Sequence, residues 1–147
     1  MTRREARYGL SILLRVFAHR KQRAVFLLCS HYDTKTFDTI RFVGANDGGS
    51  STGLLLELVR VLGQHPNLAA KVELVFFDGE EAYENFSETD GLYGSRYFAR
   101  QLADAKTGKQ FRGGILFDMV GDRSLTSLCQ QIRLWKWREI FLHRPRR

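Results

Sequence analysis

The sequence predicts an α/β fold built on a parallel sheet, and three observations carry that prediction. Short apolar runs recur at 24–30, 71–77 and 113–119. Segments with helical periodicity separate them, giving the order β-α-β-α-β, which implies parallel strands joined by right-handed crossovers. The imidazole and carboxylate side chains concentrate where those runs end, at the edge where open α/β sheets bind their ligands.

The first strand is Ala24 to Ser30, "AVFLLCS", a continuous apolar run of the kind buried on both faces. His31 to Asn46 is polar and mixed, so it reads as a loop. Gly48-Gly49-Ser50-Ser51 offers a turn and a helix N-cap. From Thr52 to Leu62, apolar residues fall at 54, 55, 58, 59 and 62, the spacing of a helix with one buried face. "GQHPN" closes it. Lys71 to Phe77 alternates and is rich in β-branched and aromatic residues, so it reads as the second strand. Gly79 to Gly91 is a long polar loop, a length usually kept for function. Leu92 to Ala105 predicts a second helix, and Gly113 to Met119 a third strand. The chain shows no internal repeat and no low-complexity segment.

With 147 residues, 44% of them hydrophobic and 12% aromatic, the chain is long enough for one domain with a real core. No apolar run approaches the roughly 20 residues of a membrane span. Leu10 to Phe17 is interrupted by Arg15 and lacks a small-residue cleavage site, so it does not read as a signal peptide. Two cysteines, Cys29 and Cys129, are too few for a disulfide framework and exclude a cysteine-built zinc site. The net charge of +7 belongs to the ends. Residues 1–23 carry seven Arg and Lys against one acid, and residues 123–147 carry the same ratio. The stretch between holds nine basic and fourteen acidic residues, a net of −5. Basic ends can meet nucleic acid or anionic membrane. The simpler reading is solvated flanks of uncertain structure, and neither a membrane nor a nucleic-acid partner is expected.

Between those flanks, His31 and Asp33 follow the first strand, and Asp47 precedes the first helix. Glu80 and Glu81 follow the second strand, and Asp118 lies at the end of the third. Several carboxylates sharing a small space repel one another, and a divalent cation resolves the conflict. Carboxylate and imidazole donors without thiolate suit a catalytic zinc. Adjacent side chains in an extended segment point in different directions. One glutamate of the Glu80-Glu81 pair can therefore bind metal while the other faces substrate as a general acid/base. Plainer roles stand beside these. Glu84 and Glu88 read as solvated loop charges, Asp78 as a turn cap and Asp90 as a cap for the helix at Leu92. Asp47 alone reads as an N-cap neighbour; with Glu81 and His31 it reads as a metal ligand. His65 reads as surface, and His19 and His143 fall in the basic flanks.

Four ordered motifs resemble the zinc aminopeptidase family M28: "SHYDT" at 30–34, "GANDGGSSTGLLLEL" at 44–58, "FFDGEEA" at 76–82 and "LFDMVGD" at 116–122. Within it, "FFDGEEAYENFSETDGLYGSRYFA" is most similar to the glutaminyl-peptide cyclotransferase branch. The resemblance covers residues 24–122. It implies a three-layer sandwich, a mostly parallel mixed sheet with helices on both faces, as in zinc aminopeptidases. In aminopeptidase members the position of Asp47 bridges two zinc ions, His31 and Asp118 complete one, Glu81 the other, and Glu80 activates water. In cyclotransferases one zinc is used, with Asp47 and Glu81 among its ligands. Glu80 there moves a proton from the α-amine to the leaving ammonia, and Asp118 is a supporting acid. The implied reaction closes an N-terminal Gln of a peptide or protein into pyroglutamate.

The sequence departs from that pattern at Phe86, where cyclotransferases usually have Trp, and at Gly91, where they usually have Ser. The family's last zinc ligand is a His far downstream of the Asp118 motif, and His143 is the single later histidine here. After about Leu125 no strand-helix continuation is evident, and residues 1–23 are similarly unlike the family. The expectation is a truncated chain. The readings that follow are a cyclotransferase-like zinc enzyme (Asp47, Glu81 and His31 at the metal, Glu80 and Asp118 catalytic), an aminopeptidase, or a non-catalytic relative. Family members are often secreted or periplasmic, which leaves the compartment of this chain open.

Overall fold

The computed structural model describes residues 14–16, 24–104, 110–123 and 132–135. Five strands form one sheet in the order β1-β3-β2-β4-β5, comprising β1 (Leu14–Val16), β2 (Ala24–His31), β3 (Val72–Phe77), β4 (Gln110–Phe117) and β5 (Ile132–Trp135). The helices are α1 (Gly49–Gly63), the short α2 (Pro66–Ala69) and α3 (Tyr93–Asp104). The three inner strands are parallel and the two outer pairings antiparallel, so the sheet is mixed.

β2 is central. It runs parallel to β3 on one side and to β4 on the other. The β2-α1-β3 and β3-α3-β4 connections therefore travel in opposite directions along the sheet. Right-handed crossovers in opposite directions put their helices on opposite faces, and the packing follows. On one face Leu55 and Leu62 of α1 meet Leu74 and Phe76, with Leu28 beside them. On the other, Phe98 and Leu102 of α3 meet Val25, Leu27, Cys29, Val75, Phe77 and Phe111. Alternate residues of β2 and β3 thus serve the two cores, the period-2 rule of a strand covered on both sides. Phe98 sits between Phe77 and Phe111, with ring centroids 5.8 and 6.3 Å away. Leu74 is fully buried. Leu74→Ala is expected to cost about 2–5 kcal/mol, a large share of a small domain's roughly 5–15 kcal/mol. A urea melt reads this directly.

Three local expectations are corrected. The first helix begins at Gly49, and its N-cap is Gly48 (φ 79°) with no side-chain cap bond. A Cβ at Gly48 would lie 2.7 Å from the Asp33 carbonyl oxygen and 3.2 Å from His31 Cε1, so a side-chain cap has no room. The serines instead act within the first turn. Ser30 Oγ donates to Ser51 Oγ at 2.7 Å, and Thr52 Oγ1 donates to the His31 carbonyl at 2.9 Å, fixing α1 to the end of β2. The third strand runs from Gln110 to Phe117 instead of 113–119. Gly113 and Gly114 lie within it, opposite Phe26 and Leu27, and Met119 (φ 48°) has already left extended geometry. A further strand, β5, lies in the C-terminal segment where none was read. Four residues are too few to display a period, and this strand is specified by pairing with β4, from Gly114↔Trp135 to Phe117↔Ile132. The rest of the two basic flanks lies outside the described residues. No described helix is long and apolar enough to cross a membrane.

Candidate metal centre

β2 ends on His31, whose side chain is 2% exposed. Its Nε2 lies 3.1 Å from Asp47 Oδ1 and 3.4 Å from Asp118 Oδ1. Its Nδ1 lies 3.5 Å from Asp33 Oδ1, close enough for attraction but without hydrogen-bond geometry, so that buried nitrogen has no hydrogen-bond partner among the described residues. One imidazole therefore faces three carboxylates. Donor atoms of His31, Asp47 and Asp118 all lie within 4.8 Å of one another.

The topology makes this meeting. Neighbouring strands are about 4.8 Å apart, so the ends of β3 and β4 flank the end of β2. Glu80 and Glu81 arrive from one side and Asp118 from the other. Asp47 is brought over by the loop into α1. Asp33 then fixes the glutamate pair. Its Oδ1 accepts the Glu80 N–H and its Oδ2 the Glu81 N–H, each at 3.0 Å. Burial alone would raise the Asp33 pKa; His31 and these two N–H groups outweigh it and lower the carboxyl below its ordinary range. Hydrogen bonds to a charged group contribute about 1.5–3 kcal/mol each. Asp33→Ala is therefore expected to lose roughly 2–4 kcal/mol of stability. The loss should be full above the ordinary carboxylate pKa and fade as pH falls through the lowered one. Urea midpoints of wild type and variant, compared at pH 7 and pH 3, test both parts.

The acids impose a strong field. Burial alone would lower the His31 pKa, but Asp118 and Asp33, helped by Glu80, raise it to about 10. Glu80 is raised to about 7, chiefly by burial, with Glu81 and Asp118 adding to the effect against the pull of His31. Glu81 is also raised, by burial first and then by Asp47. A poised glutamate beside a buried imidazole and several carboxylates is a site that can hold a divalent cation and move a proton next to it. Oxygen and imidazole donors without sulfur fit zinc.

Of the residues read as metal ligands, His31 and Asp47 share the cluster. The third member is Asp118, read as a catalytic acid. Glu81 stands outside the group of three, near enough to Asp47 to feel its charge. Asp90 does not cap α3 as expected. Its carboxylate accepts the Tyr83 and Glu84 N–H groups at 2.8 and 2.9 Å and the Tyr93 hydroxyl at 2.8 Å. It knots the loop of residues 79–91 together, and those donors hold its pKa well below the usual range. Lys35 straps the same loop by donating to the Ala82 and Glu84 carbonyls. Asp78 accepts the Gly79 N–H at 3.0 Å, as a turn cap does, while Glu84, Glu88 and His65 are exposed. The roles of Asp33, Lys35 and Asp90 were not legible as such. The one sequence cue was the spacing of Asp33, two residues after His31.

The profile of peptidase family M28 matches residues 14–138. Glutaminyl-peptide cyclotransferase of Bothrops jararaca is 35% identical over 126 residues, covering 70% of this chain and 34% of that protein. The glutaminyl-peptide cyclotransferase of Bos taurus is 36% identical over 123 residues, covering 68% and 33%. Among solved structures, an Acidobacteriales bacterium glutaminyl cyclase superposes with a TM-score of 0.65 at 41% identity, covering 76% of this chain and 38% of the other. A Porphyromonas gingivalis glutaminyl cyclase gives 0.63 at 33%, covering 76% and 40%. The chain spans about a third of the length of these curated relatives.

Proposed function

This chain belongs to peptidase family M28, and from that premise we propose that it is a zinc-dependent, glutaminyl-peptide cyclotransferase-like protein. Its substrate class is peptides and proteins with N-terminal Gln, converted to pyroglutamate with release of ammonia. The observation that carries this reading is geometric: Asp33 lies beside His31 and accepts the Glu80 and Glu81 N–H groups, each at 3.0 Å, which brings that glutamate pair to the end of β2. The names of its relatives support the same reaction.

Asp47, Glu81 and His31 would hold the zinc, which when bound polarises the substrate amide and stabilises the oxyanion that develops on it. The remaining chemistry belongs to the chain. The α-amine nitrogen bonds to the side-chain amide carbon, and that carbon's bond to NH2 breaks. The proton lost from the amine must reach the departing nitrogen. A carboxylate whose pKa is about 7 is matched to both halves of that transfer, and Glu80 is that group. Asp33 orients it by holding the Glu80 and Glu81 N–H groups. Asp118 lies close to Glu80 and His31 and serves as the supporting acid.

A second reading is an M28 aminopeptidase. The grouping of Asp118 with His31 and Asp47 favours it, because a two-metal site would be held by His31, Asp47 and Asp118 together with Glu81. Glu80 would then activate water. Zinc per chain and reaction product separate the readings. One zinc with pyroglutamate and ammonia from a Gln-peptide supports the cyclotransferase. Two zinc ions with release of a free amino acid support the peptidase. No zinc above a Glu81→Ala, His31→Ala double variant supports a non-catalytic relative and rejects both.

A further inference from the structure

His31 joins Asp47 and Asp118 through its ring, and a second side chain joins them through their backbones. Asn46 immediately precedes Asp47. Its Oδ1 accepts the Gly121 N–H at 2.8 Å and the Ser50 hydroxyl at 3.1 Å. Its own carbonyl accepts that hydroxyl at 2.6 Å, and its Nδ2 reaches Asp122 Oδ1 at 3.5 Å. Gly121 lies three residues after Asp118, across a reversal that passes through Met119 at φ 48°. Asp118 is therefore held at one end by β4 and at the other by Asn46. The contact leaves no slack. A Cβ on Gly121 would lie 2.8 Å from Asn46 Oδ1 and 2.9 Å from Ser50 Cβ.

Two carboxylates kept within ligand distance repel each other. Something other than the acids must therefore hold their backbones together before a cation arrives. We propose that Asn46 is a positioning residue, which ties the Asp118 turn to the segment carrying Asp47. In doing so it sets the spacing of the two acids and the affinity of the site for a divalent cation. The proposal rests on the metal-centre reading.

The test is zinc titration of the wild type, Asn46→Ala, Asn46→Asp and His31→Ala against a chromophoric chelator, with Co2+ absorption spectra of each. Supporting-contact losses typically cost about 10–100-fold in metal affinity. Asn46→Ala should fall in that range, with an altered Co2+ spectrum and faster Gly121 amide exchange in the metal-free protein. Asn46→Asp keeps the acceptor for Gly121 but sets a carboxylate against Asp122, so it should recover part of the affinity, and the more so at high salt. Gly121→Ala should weaken binding too, because its Cβ would crowd both Asn46 Oδ1 and Ser50 Cβ. Wild-type affinity and spectrum in Asn46→Ala would overturn the proposal while the metal centre stands. A wild type that takes up no more metal than His31→Ala would overturn both.

Discussion

Asp47→Ala is expected to abolish tight zinc binding. Asp47 contacts His31 at 3.1 Å, belongs to the three-residue donor cluster and acts on Glu81 by its charge. It thus touches both sides of the site, whichever metal count applies. Losing a direct ligand costs more than the roughly 10–100-fold of a supporting contact, so a drop of well over ~100-fold is expected. The effect has a second readout. Zinc at about 100 times its dissociation constant stabilises a protein by about 2.7 kcal/mol, and that increment should vanish in the variant. A zinc-induced shift in melting temperature that survives in Asp47→Ala would place the metal elsewhere.

Glu80→Gln separates chemistry from binding. A positioned general acid/base contributes about 10²–10⁴-fold to a rate, so on the proposed cyclotransferase reading turnover of a Gln-peptide should fall by that factor with zinc content unchanged. The stability effect runs the other way. Burial raises Glu80 to about 7, so the folded metal-free chain resists its ionisation. That penalty is absent below the ordinary glutamate pKa, grows as pH rises towards 7 and is full above it. At 1.36 kcal/mol per unit, Glu80→Gln should stabilise the metal-free chain by on the order of 2–3 kcal/mol at pH 8 and by nothing at pH 4. Equal urea midpoints for both proteins at pH 8 would show that Glu80 is not held in the buried field described above. A residue that is costly to stability and needed for turnover is the expected signature of a tuned catalytic acid.

Much of the inner fold was legible in the sequence. The segments 24–30 and 71–77 matched β2 and β3 closely, the first because a strand covered on both faces is a continuous apolar run, the second through its β-branched and aromatic residues. The residues 52–62 lie within α1 for a related reason, as their apolar positions repeat at the helical spacing. β1 and β5 were not legible. Each is three or four residues long and takes its structure from the neighbour it pairs with. The third strand was read as Gly113 to Met119, but β4 starts three residues earlier, at Gln110, where pairing of Gln110 and Phe111 with Ala24 and Val25 of β2 sets its start. Asp90 was read as a helix cap because it precedes α3. Its backbone donors, Tyr83 and Glu84, lie behind it in the folded loop, where no local rule points, and only the Tyr93 hydroxyl reaches it from α3 among the described residues.

By itself the sequence determined the inner β-α-β-α-β order, the edge of the sheet where the imidazole and carboxylate side chains gather, and the residue types present there. Those follow from local periodicity and from the rule that α/β crossovers return every strand end to one side. Only the tertiary structure decided which acids meet. Asp118 joins His31 and Asp47 while Glu81 stands beside Asp47, and Asp33 and Asn46 hold the flanking turns in place. Distances across three strands depend on register and on contacts between residues as far apart as Asn46 and Gly121, and no window of sequence contains both partners.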